Sequence, residues 1–114
     1  MHPDSAHDVS QILILTTLPD VESARSLARS LVEDHLCACA SIGAPVESMY
    51  HWQGAIETAH EVPLTLKTRG DRFDDVAAAI RSRHPYELPE ILAVPITDGL
   101  PDYLAWVDAE SARR

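Results

Sequence analysis

Residues 36–68 read LCACASIGAPVESMYHWQGAIETAHEVPLTLKT, and this stretch decides the fold. From Leu36 to Trp52 it reads as strand, broken once near Gly43-Ala44-Pro45. Gln53-Gly54 reads as a tight turn, and Ala55 to Thr68 as the returning strand. Strands of about 14 residues span roughly 45 Å. A compact domain of about 100 residues has a radius of gyration of only about 13 Å. The far end of the ribbon, with Tyr50 and Trp52, therefore extends past its own core. An isolated two-stranded ribbon is marginal in water, so a second subunit is expected to cover it. A two-residue loop at Gln53-Gly54 sets the register: Tyr50 opposite Glu57, Glu47 opposite His60, Trp52 opposite Ala55. Val46, Ser48, Tyr50 and Trp52 then share one face. A buried Tyr or Trp removes about 150–250 Å² from water, worth several kcal/mol before association costs at about 25 cal/mol per Å².

Before the ribbon, residues 11–18 form a near-continuous apolar run, as in a central strand covered on both faces. Asp20 then suits a helix N-cap, and Ala24, Leu27, Ala28, Leu31 and Val32 recur at helical spacing up to about His35. After the ribbon, Asp71 with Asp74 resembles a capping box, and Phe73, Val76, Ala77 and Ile80 form the second helix's stripe. That helix stops before Pro85. Glu90 to Thr97 is the last strand, with Pro95 placing it at an edge. Leu100 to Ala109 closes the chain as a helix packed through Tyr103, Leu104, Trp106 and Val107. The order strand, helix, strand, strand, helix, strand, helix is an α/β (α+β) arrangement. It is the ferredoxin-like split βαβ plan (βαββαβ), with a C-terminal helix and a long protruding hairpin between the second and third strands. Right-handed crossovers put both main helices on one face and leave the other open. Pro63 stands out, because this plan makes its strand internal. Residues 1–10 read as a flexible tail and residues 11–110 as a single domain.

The net charge of −9, with one lysine and eight arginines, argues against nucleic acid and anionic membranes as partners. No apolar run reaches a membrane span, and the polar, acidic start lacks the pattern of a secretory signal, so the expected location is cytoplasmic. Cys37 and Cys39 are two apart on a predicted strand, with parallel side chains that suit a disulfide poorly. Reduced thiols fit a cytosolic setting.

Several motifs occur together: Thr16-Thr17-Leu18-Pro19-Asp20, Leu36-Cys37-Ala38-Cys39-Ala40, Tyr50-His51-Trp52-Gln53-Gly54, Glu61 leading to Lys67-Thr68, His84-Pro85-Tyr86-Glu87-Leu88-Pro89-Glu90-Ile91, and Tyr103-Leu104-Ala105-Trp106. In this combination the chain resembles the CutA family of divalent-cation tolerance proteins over about residues 11–109. The resemblance implies a ferredoxin-like homotrimer whose ribbons pair between subunits. It implies a non-enzymatic role in tolerance of divalent or heavy metals, copper above all.

Copper prefers thiolate and imidazole, which nominates Cys37, Cys39, His35, His51, His60 and His84. No CxxC, HxxxH or four-ligand zinc set is present. In family members credited with copper binding, the ligands are a cysteine of the first strand and two adjacent histidines before the HPY proline. Those positions are Thr16, Arg83 and His84 here. His84 is thus the first metal candidate and Cys39, which matches a family cysteine, the second. Tyr50, Trp52, Tyr86, Tyr103 and Trp106 read as core or interface. Glu57, Glu61, Glu87 and Glu90, with Lys67, read as a charge-paired interface. No phosphate loop, Ser-His-Asp set or nucleophile elbow is visible, so the chain reads as a non-enzyme. The alternative is a trimeric small-molecule sensor of PII-like type, with ligands in the clefts between subunits.

Overall fold

A computed structural model describes residues 9–114, so most of the expected tail lies outside the described residues. Strand β1 (Gln11–Leu18) is followed by helix α1 (Val21–Glu33), β2 (Cys39–Ile42), β3 (Val46–Trp52) and β4 (Ala55–Arg69). A 3₁₀ turn (Gly70–Arg72) leads into α2 (Phe73–Arg83), β5 (Leu92–Pro95) and α3 (Pro101–Glu110). The strands lie in the order β2-β4-β1-β5, all antiparallel, and β3 continues the line of β2 along β4. This is the expected ferredoxin-like plan, with the second strand split into β2 and β3.

Local chemistry explains where the elements begin and end. The Asp20 carboxylate accepts the Ser23 amide at 2.7 Å and caps α1. At the other end the His35 amide donates to the Val32 carbonyl and the Leu36 amide to that of Leu31. His35 takes φ 55°, the place where this terminator usually has glycine. Leu36 and Cys37, expected in a strand, are held by these bonds to Leu31, so β2 starts only at Cys39. α2 starts at Phe73 rather than Asp71, because Asp71 turns its carboxylate to the Arg69 guanidinium at 2.7 and 3.0 Å. β5 is shorter than expected, since it pairs only with Ile12–Leu15; Pro95 does sit on the sheet's edge strand.

The core lies between the sheet and α1 with α2. Ile12, Ile14 and Leu18 of β1 and Val62, Leu64 and Leu66 of β4 meet Ala24, Leu27, Ala28 and Leu31 of α1 and Val76 and Ile80 of α2. Val32, expected on this face, is turned outward. α3 crosses one end of the opposite face: Asp108 accepts from Gln11 Nε2, and Ser111 Oγ from the Arg69 amide. Of its expected packing residues only Val107 is buried, while Tyr103 and Trp106 stay exposed.

Pro63 is accommodated by the break in the neighbouring strand. Between the pairs Ile42–Leu64 and Val46–Glu61, residues 43–45 oppose residues 62–63, which makes a bulge of one extra residue. The Gly43 amide donates to the Pro63 carbonyl at 2.9 Å. A strand residue points its nitrogen and its carbonyl to the same side. The N–H that Pro63 lacks would therefore have faced this bulge, not β1.

Beyond the bulge, β3 and the first half of β4 form a free ribbon in the expected register, closed by Gln53 (φ 51°) and Gly54 (φ 81°). Two successive positive φ angles define the type I′ turn that matches strand twist. The ribbon stretches the chain to 44 × 31 × 24 Å, with a radius of gyration of 14.6 Å.

Candidate functional site

The pleat divides each central strand. Ile12, Ile14, Thr16 and Leu18 of β1 and Val62, Leu64, Leu66 and Thr68 of β4 are buried under the helices. Leu13, Leu15 and Thr17, with Glu61, Pro63, Thr65 and Lys67, therefore face the other way. Leu92 and Val94 of β5 pair with Leu15 and Leu13, and are 54% and 41% exposed. On the ribbon, Tyr50 lies opposite Glu57 and Trp52 opposite Ala55, on the same side of β4 as Glu61 and Lys67. Both aromatics are exposed. One surface thus runs from α3 across the open sheet to the ribbon tip. It is apolar along Leu13, Leu15, Leu92, Val94, Tyr50 and Trp52, and it carries a polar cluster at either end.

The first cluster lies where β1 ends. Thr17 Oγ1 donates to Glu61 Oε2 at 2.9 Å. The Tyr86 hydroxyl is pushed up to about 12, first by burial and then by the approach of the Glu61 carboxylate. The loop after α2 brings Tyr86 there, and His84 anchors that loop. His84 Nε2 lies 2.6 Å from the Thr17 carbonyl, and its Nδ1 accepts the Tyr86 amide at 3.1 Å. With Nδ1 as acceptor, Nε2 carries the proton and donates. The His84 and Tyr86 rings stack at 4.6 Å in a tilted pair.

The second cluster lies beside α3. The Lys67 ammonium donates to the Tyr103 hydroxyl at 3.3 Å and sits 5.5 Å from its ring centre. That hydrogen bond, ahead of the nearby Cys39, holds Lys67 above the ordinary lysine range. Cys39 is opposite Lys67 in the β2–β4 register, its sulfur 3.9 Å from Ser41 Oγ. Cys37 is different: it is buried and unpaired, and burial followed by the neighbouring Cys39 pushes its thiol up to about 12. Both cysteines are free, as their spacing suggested.

The residues at the family's copper positions do not converge. Thr16 is buried on the helix side of β1, and its hydroxyl has no partner among the described residues. Arg83 ends α2 at the surface, and the one lone pair of His84 is already committed to Tyr86. These three do not fit a copper ion. His84 and Cys39 also stand apart. His84 bonds at Thr17, whereas Cys39 pairs with Lys67 opposite Leu13, four residues back along β1 and roughly 13 Å away. Among the described residues, no three His, Cys, Asp or Glu side chains gather to hold a metal. The Thr17–Glu61–Tyr86 grouping was not read from the sequence. Its only trace there is the shared face of Thr17 and Glu61 in the period-two pattern.

A ferredoxin-like domain with a split second strand, an outlying ribbon and an aromatic-rimmed open face defines the class. Known proteins make it specific. The profile of the CutA1 divalent ion tolerance protein family matches residues 12–110. The chain is 36% identical to the divalent-cation tolerance protein CutA of Citrobacter koseri, over 96% of this chain and 97% of that one. The crystal structure of CutA from Xylella fastidiosa superposes with a TM-score of 0.86 at 40% identity, covering 89% of this chain and 97% of that one. A structure described as the periplasmic divalent cation tolerance protein CutA of Archaeoglobus fulgidus gives 0.86 at 37% identity, covering 89% and 98%. The chain belongs to the CutA1 divalent ion tolerance protein family.

Proposed function

We propose that this protein serves tolerance of divalent and heavy-metal ions, copper above all, as a non-enzymatic homotrimer in the cytoplasm. The family match over residues 12–110 carries the functional part. The exposed apolar surface from Leu92 and Val94 to Tyr50 and Trp52 supports assembly, because a lone chain leaves it in water. The number three follows from the resemblance and not from the surface itself. Free Cys37 and Cys39 suit a reducing compartment, and among the described residues no helix is long and apolar enough to cross a membrane.

Within this reading, direct copper contact falls to His84 and Cys39 as two separate one-donor sites. Copper at His84 displaces the Tyr86 amide from Nδ1. Copper at Cys39 takes a thiol beside an ammonium. Each needs further donors from solvent or a neighbouring chain. The test of function is growth on copper of a bacterial strain lacking its own CutA protein. Expression of this chain restores tolerance; unchanged sensitivity with confirmed expression contradicts the reading. The sensor alternative has no observation to itself, since its clefts lie between subunits.

A further inference from the structure

The end of α1 and the residues that follow α3 meet at one imidazole. His35 Nδ1 lies 3.0 Å from the Glu110 carbonyl oxygen and 2.6 Å from Arg114 Nη2. The carbonyl can only accept a hydrogen bond, and the guanidinium can only donate one. A single ring nitrogen cannot serve both at once. With a lone pair, Nδ1 accepts from Arg114 and has nothing to give the carbonyl. With a proton, it donates to the carbonyl and turns an N–H toward a group that has no lone pair to offer. The two states exclude each other. The contact to Arg114 is the shorter, so the lone-pair state is the one held here, and Nε2 then carries the proton.

Charged groups reach this ring from every side of the junction. From the 3₁₀ turn, Arg72 Nη2 donates to the His35 carbonyl at 3.4 Å. Asp75 of α2 holds both Arg72 and Arg113 of the tail. On α1, Glu33 is paired with Arg29, and Asp34 precedes His35 in the chain. On α3, Glu110 Oε1 is 4.0 Å from Arg114 Nη2. We propose that His35 is a pH-operated latch between α1 and the tail that follows α3. Neutral, it accepts from Arg114 and ties residues 112–114 down. Protonated, it gives its Nδ1 hydrogen to the Glu110 carbonyl, where a cation suits the end of a helix, and like charge drives Arg114 away. Arg114 then keeps only the Ala109 carbonyl at 3.4 Å and the Glu110 carboxylate at 4.0 Å. α3 itself stays docked, because Ser111 Oγ still accepts from the Arg69 amide. Imidazole is the side chain that changes charge between about pH 8 and about pH 5, so acidification opens the latch.

The test is ¹⁵N NMR of the full chain at about pH 8 and about pH 5. The chain has six histidines, and His35→Gly identifies the His35 ring signals by their loss. Glycine suits φ 55°, so this variant keeps the turn that ends α1. At the higher pH the wild-type ring is the Nε2–H tautomer. Arg114→Ala, a change at an exposed residue, moves the neutral ring to the Nδ1–H tautomer, which donates to Glu110. On acidification the backbone ¹H–¹⁵N NOE of residues 112–114 falls in wild type. In His35→Gly it is already low at the higher pH and falls no further. An Nδ1–H tautomer in wild type at the higher pH, or a tail equally ordered at both pH values, overturns the proposal. So does an equal acid-induced loss of order in His35→Gly.

Discussion

The Gly43 amide donates to the Pro63 carbonyl at 2.9 Å, and a Cβ on Gly43 would lie 2.8 Å from Pro63 Cγ. The glycine and the proline therefore fit as a pair, one without a side chain and the other without an N–H. The bulge they form marks the junction between the packed sheet and the ribbon. Gly43→Ala is expected to cost about 1–3 kcal/mol in denaturant unfolding, the usual cost of overpacking. Adding Pro63→Ala removes the ring it strikes and recovers most of the loss. A double variant no better than the single would mean that the glycine is needed for another reason.

At the ribbon's other end, Gln53 adopts φ 51° in a type I′ turn. Asparagine tolerates this region better than glutamine, because its short side chain bonds locally. Gln53→Asn is therefore expected to stabilise the protein by up to about 1 kcal/mol, read as a raised melting temperature at fixed protein concentration. Gly54→Ala, at φ 81°, is expected to lower it.

Cys37 gives a pH signature. Its thiol is raised from 9.0 to about 12 in the folded chain. The folded state keeps a proton that the unfolded chain sheds, so this contribution is intact below pH 9.0 and is lost as pH climbs toward 12. Stability falls over that window by at most about 1.4 kcal/mol per pH unit for this group. Tyr86, raised from 10.0 to about 12, adds the same sign at the upper end. Melting curves measured from neutral to alkaline pH are expected to decline more steeply in wild type than in Cys37→Ala. A thiol reagent is expected to reach Cys37 only after unfolding, because the residue is 1% exposed.

His84 ties three segments through two hydrogen bonds, to the Thr17 carbonyl and the Tyr86 amide. His84→Ala leaves both of those groups without the partner they have in the folded chain. Its expected cost is about 1–3 kcal/mol in urea unfolding, whether or not metal is present. A variant as stable as wild type would remove this structural role.

Much of the fold is legible in the sequence because it is written in local chemistry. The apolar run of β1, the Asp20 cap and the Gln53-Gly54 turn each need only neighbouring residues, and the ribbon register follows from the turn; the alternation of buried and outward-facing residues along β1, read from the sequence as a strand covered on both faces, appears only in the fold. The misread boundaries come from competing partners. Leu36 and Cys37 look like strand but stay bonded to Leu31, and Asp71 looks like a cap but pairs with Arg69. Pro63 looks misplaced until the bulge beside it is seen. The Thr17–Glu61–Tyr86 cluster depends on how the loop after His84 wraps past the end of β1, and no periodicity encodes that path.

The central claim is that this surface forces copies of the chain together. Sedimentation equilibrium at micromolar concentration, in wild type and in Tyr50→Ser with Trp52→Ser, tests it most directly. The account predicts a wild-type species of three times the 12.5 kDa chain, shifted toward smaller species by the double substitution. A stable, folded wild-type protein sedimenting as a single 12.5 kDa chain would contradict it.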